Sequence, residues 1–125
     1  MGAARILIVD DNALNTELVR FVLDEAGHEV QTADSAGEAL VRIAEFQPQL
    51  ILMDIHMPGM DGLELTRRLK EADATSAITI VAFTAYAMKG DEARMREAGC
   101  DGYISKPIDV KQFAAQVAQY LPASA

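Results

Sequence analysis

A chain of 125 residues, half of them apolar and carrying a formal net charge of −8, is long enough for one domain with a buried core and too short for two. An acidic surface repels nucleic acid and anionic lipid. No apolar run approaches the ~20 residues of a membrane span, and the N-terminus lacks the charged-then-apolar-then-cleavage pattern of a leader. The expected setting is therefore the cytoplasm, without membrane or nucleic-acid contact, and the expected partners are proteins or small ions. The one cysteine, Cys100, forms no internal disulfide, and without a second thiol it builds no sulfur metal site.

In chain order, "RILIV" (5–9) is short, apolar and branched and reads as a buried strand. "DNALNTELVRFVLDEAG" (11–27) follows with Leu14, Leu18, Phe21 and Val22 at helical spacing, and Gly27 supplies the stop. "EVQTA" (29–33) is a second strand, entered through a turn in which His28 reads as solvated. Ser35 and Glu38 have the spacing of a capping box opening a helix with Leu40, Ile43 and Phe46. The alternation continues: "LILMD" (50–54) strand, "LELTRRLKEA" (63–72) helix, "TIVAFT" (79–84) strand, "DEARMREAG" (91–99) helix, "GYIS" (102–105) strand. The last helix, 109–121, is capped by Asp109 and faces inward through Phe113, Val117 and Leu121. The expectation is one domain over 1–125, with its core at about 4–121 and a tail at 122–125.

Five strands alternating with five helices predict an α/β fold, a doubly wound parallel sheet covered on both faces. Ligands of such sheets sit outside the carboxyl ends of the strands. There, strand one ends in Asp10 and Asp11, strand three in Asp54, strand four in Thr84, and strand five in Ser105 and Lys106. Carboxylates crowded together repel unless a cation lies among them. Hard oxygen donors in this number suit Mg²⁺, which takes one or two carboxylates plus a phosphate. The tips thus predict a magnesium site that expects a phosphoryl group.

"ILIVDDN", "LILMDIHMPGMDG", "FTA" and "YISKP", in this order and at these separations, resemble the receiver domain of bacterial two-component response regulators. The resemblance covers nearly the whole chain, and four motifs at the ends of four of the five strands make it specific. It implies the flavodoxin-like strand order 2-1-3-4-5, and a switch that modifies itself without being an enzyme toward other substrates. Asp54 would accept a phosphoryl group from the phosphohistidine of a histidine kinase or phosphotransfer protein. Asp11, Asp54 and the backbone carbonyl of His56 would hold Mg²⁺, with Asp10 meeting the ion through water. Thr84 and Lys106 would contact the phosphoryl oxygens. Thr84 and Tyr103 would form the switch, and the bond before Pro107 would be cis. His56 and Tyr86 would border the approach of water and set the phosphoryl lifetime; two bulky side chains there are expected to shield it. An apolar rim of Leu14, Leu18 and Ile108, with Asn15, would dock the phosphodonor. The chain ends with its last helix, so output is expected through docking. Two other classes share parts of the pattern. A haloacid-dehalogenase-type phosphatase would carry an acid two residues beyond Asp54, where His56 stands, and a flavin-binding protein of this fold would need a hydroxyl- and glycine-rich loop in place of "DDNALN".

Overall fold

The computed structural model describes residues 4–57, 60–84, 89–105 and 108–121, without the side chains of 56, 57, 60, 61 and 89–92. Lys106, Pro107 and Tyr86 lie outside these residues, as do the tail at 122–125 and the ring of His56. The elements are β1 (Arg5–Val9), α1 (Ala13–Glu25), β2 (Glu29–Ala33), α2 (Ala36–Phe46), β3 (Leu50–Met53), β4 (His56–Met57), β5 (Met60–Asp61), α3 (Gly62–Glu71), β6 (Thr79–Thr84), α4 (Lys89–Ala98), β7 (Gly102–Ser105) and α5 (Val110–Ala118).

The five longer strands form one parallel sheet in the order β2-β1-β3-β6-β7. Numbered among themselves they run 2-1-3-4-5, as expected. Side chains alternate across a strand, so β1 sends Ile6 and Ile8 to one face and Leu7 and Val9 to the other. The first face carries α1 and α5: Val19, Val22 and Leu23 meet Phe113 and Val117, and Phe83 packs on Phe113 with ring centroids 5.9 Å apart. The second carries α2 and α3 through Ala39, Ile43, Leu65 and Leu69, with Met95 and Ala98 of α4 beside Leu63 and Ala82. Both faces are covered, which is why the inner strands β1, β3 and β6 read as apolar runs rather than alternating ones, while the edge strands β2 and β7 are only partly buried.

The structure refines several boundaries. β4 and β5 make a two-residue antiparallel pair between β3 and α3 that is too short to leave a pattern. α5 ends at Ala118, and residues 119–121 continue it only as turns. In α1 the buried set is Val19, Val22 and Leu23, while Leu14, Leu18 and Phe21 are exposed. Apolar residues surround most of this helix, so spacing alone did not choose the core face. In α2, Leu40 is likewise half exposed and Ala39 takes its place in the core. His28 is half-buried rather than solvated: its Nδ1 accepts a hydrogen bond from the Ala4 backbone N–H at 3.1 Å, tying the start of β1 to the start of β2. Gly27, at φ +94°, makes the turn before it, as a residue without Cβ can.

Candidate functional site

Parallel register brings the strand tips level. Val9 pairs with Ala33 and Met53, and Met53 with Ala82, so Asp10 and Asp54 leave the sheet side by side. The backbone N–H of Asp10 donates to Ala33 O at 3.0 Å, and that of Asp54 to Val9 O at 2.9 Å, extending the ladder one residue past each strand. Both carboxylates are thereby anchored to the rigid sheet, and both residues are buried, at 3% and 5% exposure, while Asp11 is open to solvent. One carboxylate oxygen from each of Asp10, Asp11 and Asp54 lies within 4.8 Å of the other two. Thr84, at the tip of the next strand, is fully buried and pairs in register with Ser105.

Asp10 is held from above by the first turn of α1. The backbone N–H of Asn12 donates to its Oδ1 at 2.9 Å, and the side-chain amide of Asn15 to its Oδ2 at 2.8 Å. Asn12 caps the helix, its side-chain oxygen accepting from the Asn15 N–H at 3.0 Å. The sequence puts Asn15 on the docking surface and does not disclose its bond to Asp10. The spacing of two asparagines just beyond an acid pair was the available signal.

Gly62 was also missed. A Cβ at this position would lie 2.5 Å from the carbonyl oxygen of Asp54 and 2.8 Å from Ile55 Cα. Only glycine lets the start of α3 close over the backbone that carries Asp54. The next turn is pinned by Thr66, fully buried, whose hydroxyl donates to Gly62 O at 2.8 Å. Thr66 also bonds the thiol of Cys100, which burial pushes up to about 11. Cys100 therefore reads as an unreactive thiol at neutral pH.

Of the remaining expected residues, Tyr103 is 38% exposed and shares with Tyr120 the wall of a cavity of about 510 Å³. Leu14 is 83% and Leu18 42% exposed, while Ile108 is partly buried against the core of α1 and α5. Beside the acids runs a groove of about 290 Å³ whose walls include Asp10, Asp11, Thr16, Thr32, Asp34 and Glu38. Of the described residues, five carboxylates line this small groove, Glu17 included, against the guanidinium of Arg20, and the excess of negative charge favours entry of a cation over that of a bare anion. Hard oxygen donors, two of them fixed and buried, fit a small divalent ion of the magnesium type.

Comparison places this chain, with its parallel five-stranded sheet and three acids converging at the carboxyl edge, within one family. Residues 6–118 match the family described as response regulator receiver domain, and the chain belongs to it. It is thereby a signalling module of the two-component class. Among its relatives is the polar-differentiation response regulator DivK of Brucella anthropi, 46% identical over 116 residues that cover 93% of this chain and 94% of the relative. Among solved structures, the chemotaxis protein CheY4 of Vibrio cholerae is 25% identical with a TM-score of 0.90, covering 95% of this chain and 99% of its own. The receiver domain of a sensor histidine kinase from Pseudomonas aeruginosa, described with a magnesium ion coordinated in its active-site cleft, is 26% identical with a TM-score of 0.83 and covers 94% and 97%. No helix among the described residues is long and apolar enough to cross a membrane.

Proposed function

We propose that Asp54 accepts the phosphoryl group and that the chain catalyses this modification of itself, and its reversal, in the cytoplasm. The observation that carries the reading is the buried Asp54 carboxylate at a strand tip, within 4.8 Å of Asp10 and Asp11. An oxygen of ionised Asp54 attacks phosphorus in line, the P–N bond of a donor phosphohistidine breaks, and its electron pair returns to the imidazole, which takes up a proton. No general base is needed, because the carboxylate is already a nucleophile. The loose transition state of phosphoryl transfer asks chiefly for position and charge neutralisation. Asp11, Asp54 and the His56 carbonyl would hold Mg²⁺ with Asp10 behind them; when bound, the ion offsets charge on the transferring oxygens. Lys106 supplies a second positive charge and Thr84 a hydroxyl hydrogen bond.

The switch follows from the same hydroxyl. Thr84 moves toward the phosphoryl group, and the ring of Tyr103 turns inward into the space it leaves. The phosphodonor is a histidine kinase or phosphotransfer protein, which docks on Leu14, Leu18 and Ile108 at the rim nearest the acids. Treatment with a small acyl phosphate and Mg²⁺, followed by intact-mass measurement, should show one added phosphoryl group that is absent from Asp54→Asn. Equal labelling of that variant would remove Asp54 as the acceptor. Continuing turnover of donor without labelled protein would favour the phosphatase reading.

A further inference from the structure

We propose that Asn15 is a positioning residue for the metal, acting through Asp10. This rests on the reading that Asp10, Asp11 and Asp54 form the magnesium site. A carboxylate on a short side chain can still rotate about its last bond. A single hydrogen bond fixes one oxygen, whereas two donors, one to each oxygen, fix the plane. Asp10 has both: the Asn12 backbone N–H at 2.9 Å on Oδ1 and the Asn15 amide at 2.8 Å on Oδ2. The Asn15 amide is in turn held in place, because its backbone N–H is bonded to the cap Asn12 at 3.0 Å.

Both donors are neutral, so they orient Asp10 without cancelling its charge toward a cation. A cation entering between Asp10, Asp11 and Asp54 therefore meets a carboxylate whose direction is already set. Removing the Asn15 amide takes away the donor on Oδ2 and loosens the plane of Asp10, so cation binding must supply more of the ordering. Groups that orient metal-site residues in this way typically change metal affinity by about 10- to 100-fold when removed. Asp10 stands one step further out than a direct ligand, so the lower end is expected.

The test is a Mg²⁺ titration of parent, Asn15→Leu and Asn15→Gln, followed by ¹⁵N NMR, with thermal unfolding of each protein in chelator to verify the metal-free fold. Asn15→Leu keeps the side-chain size and removes the donor; Asn15→Gln keeps an amide on a longer arm. The expected result is a Kd raised about tenfold in Asn15→Leu and restored to within about threefold of the parent in Asn15→Gln. Unchanged or tighter binding in Asn15→Leu would overturn the assignment, and so would a loss in Asn15→Gln as large as in Asn15→Leu. A parent that binds no Mg²⁺ would overturn the metal site itself, a result distinguishable from either.

Discussion

Replacing Gly62 with alanine should damage stability and phosphoryl transfer together. The added Cβ meets Asp54 O at 2.5 Å and Ile55 Cα at 2.8 Å, where unstrained contacts lie at about 3.5 Å or more. A relief of roughly 1 Å is needed, and both obstructing atoms are backbone, so no flexible side chain can give way. Such overpacking costs about 1–3 kcal/mol, offset by at most ~1 kcal/mol of helix propensity, less at a first-turn position. A net loss of about 1–2 kcal/mol lowers Tm by roughly 4–8 °C in a chain of this size. The yielding segment carries Asp54, and a misplacement of about 1 Å can slow a transfer up to ~100-fold. Gly37→Ala is the control, since nothing lies within 4 Å of a Cβ there; it should leave the rate unchanged and hold or raise Tm. Circular dichroism melts and the rate of labelling by a small phosphodonor decide the matter. If Gly62→Ala behaves as Gly37→Ala does, close packing of α3 on the Asp54 backbone is not what positions the acceptor.

Asp11→Ala should abolish measurable Mg²⁺ binding in calorimetry yet raise the metal-free Tm, because it relieves repulsion among three acids within 4.8 Å; parent-like binding would contradict this. Leu14→Asp, at an exposed position, should slow transfer from a kinase or phosphotransfer protein and leave small-donor labelling intact, whereas equal loss of both would signal misfolding. Burial lowers the pKa of His28, so the unfolded chain takes up its proton first as pH falls through about 6.5; stability owed to neutral His28 is present above that pH and lost below it. Urea unfolding should therefore show a shallower acid decline in His28→Asn than in the parent, and identical slopes would refute the assignment. Decay of the phosphorylated protein in Mg²⁺ should quicken in both Tyr86→Ala and His56→Ala if these side chains shield phosphorus; slower decay in His56→Ala would instead identify the imidazole as a base for water.

The strand tips were legible because each buried apolar run ends abruptly in a residue that has no reason to be in a core: Asp10, Asp54, Thr84. Parallel topology then carried them to one edge without further information. The core face of α1 was not legible, since Leu14, Leu18 and Phe21 (i, i+4, i+7) and Val19, Val22 and Leu23 (i, i+3, i+4) both fit a helical stripe, and only packing against the sheet and α5 distinguishes them. The hydrogen bond from Asn15 to Asp10 and the approach of Gly62 to Asp54 join residues 5 and 8 positions apart across a turn whose path no periodicity describes. His28 escaped for a related reason: its partner is the Ala4 backbone, 24 residues away, and a turn histidine carries no mark of such a contact.

Chemical mapping of the phosphoryl group tests the central claim most directly. Borohydride reduction of the phosphorylated protein converts an acyl phosphate on aspartate to homoserine, which tandem mass spectrometry of proteolytic peptides can place. The account predicts homoserine at position 54, with Asp10 and Asp11 unchanged and no product without Mg²⁺. Homoserine at position 10 or 11, or a phosphate resistant to reduction on Thr84 or Ser105, would contradict it.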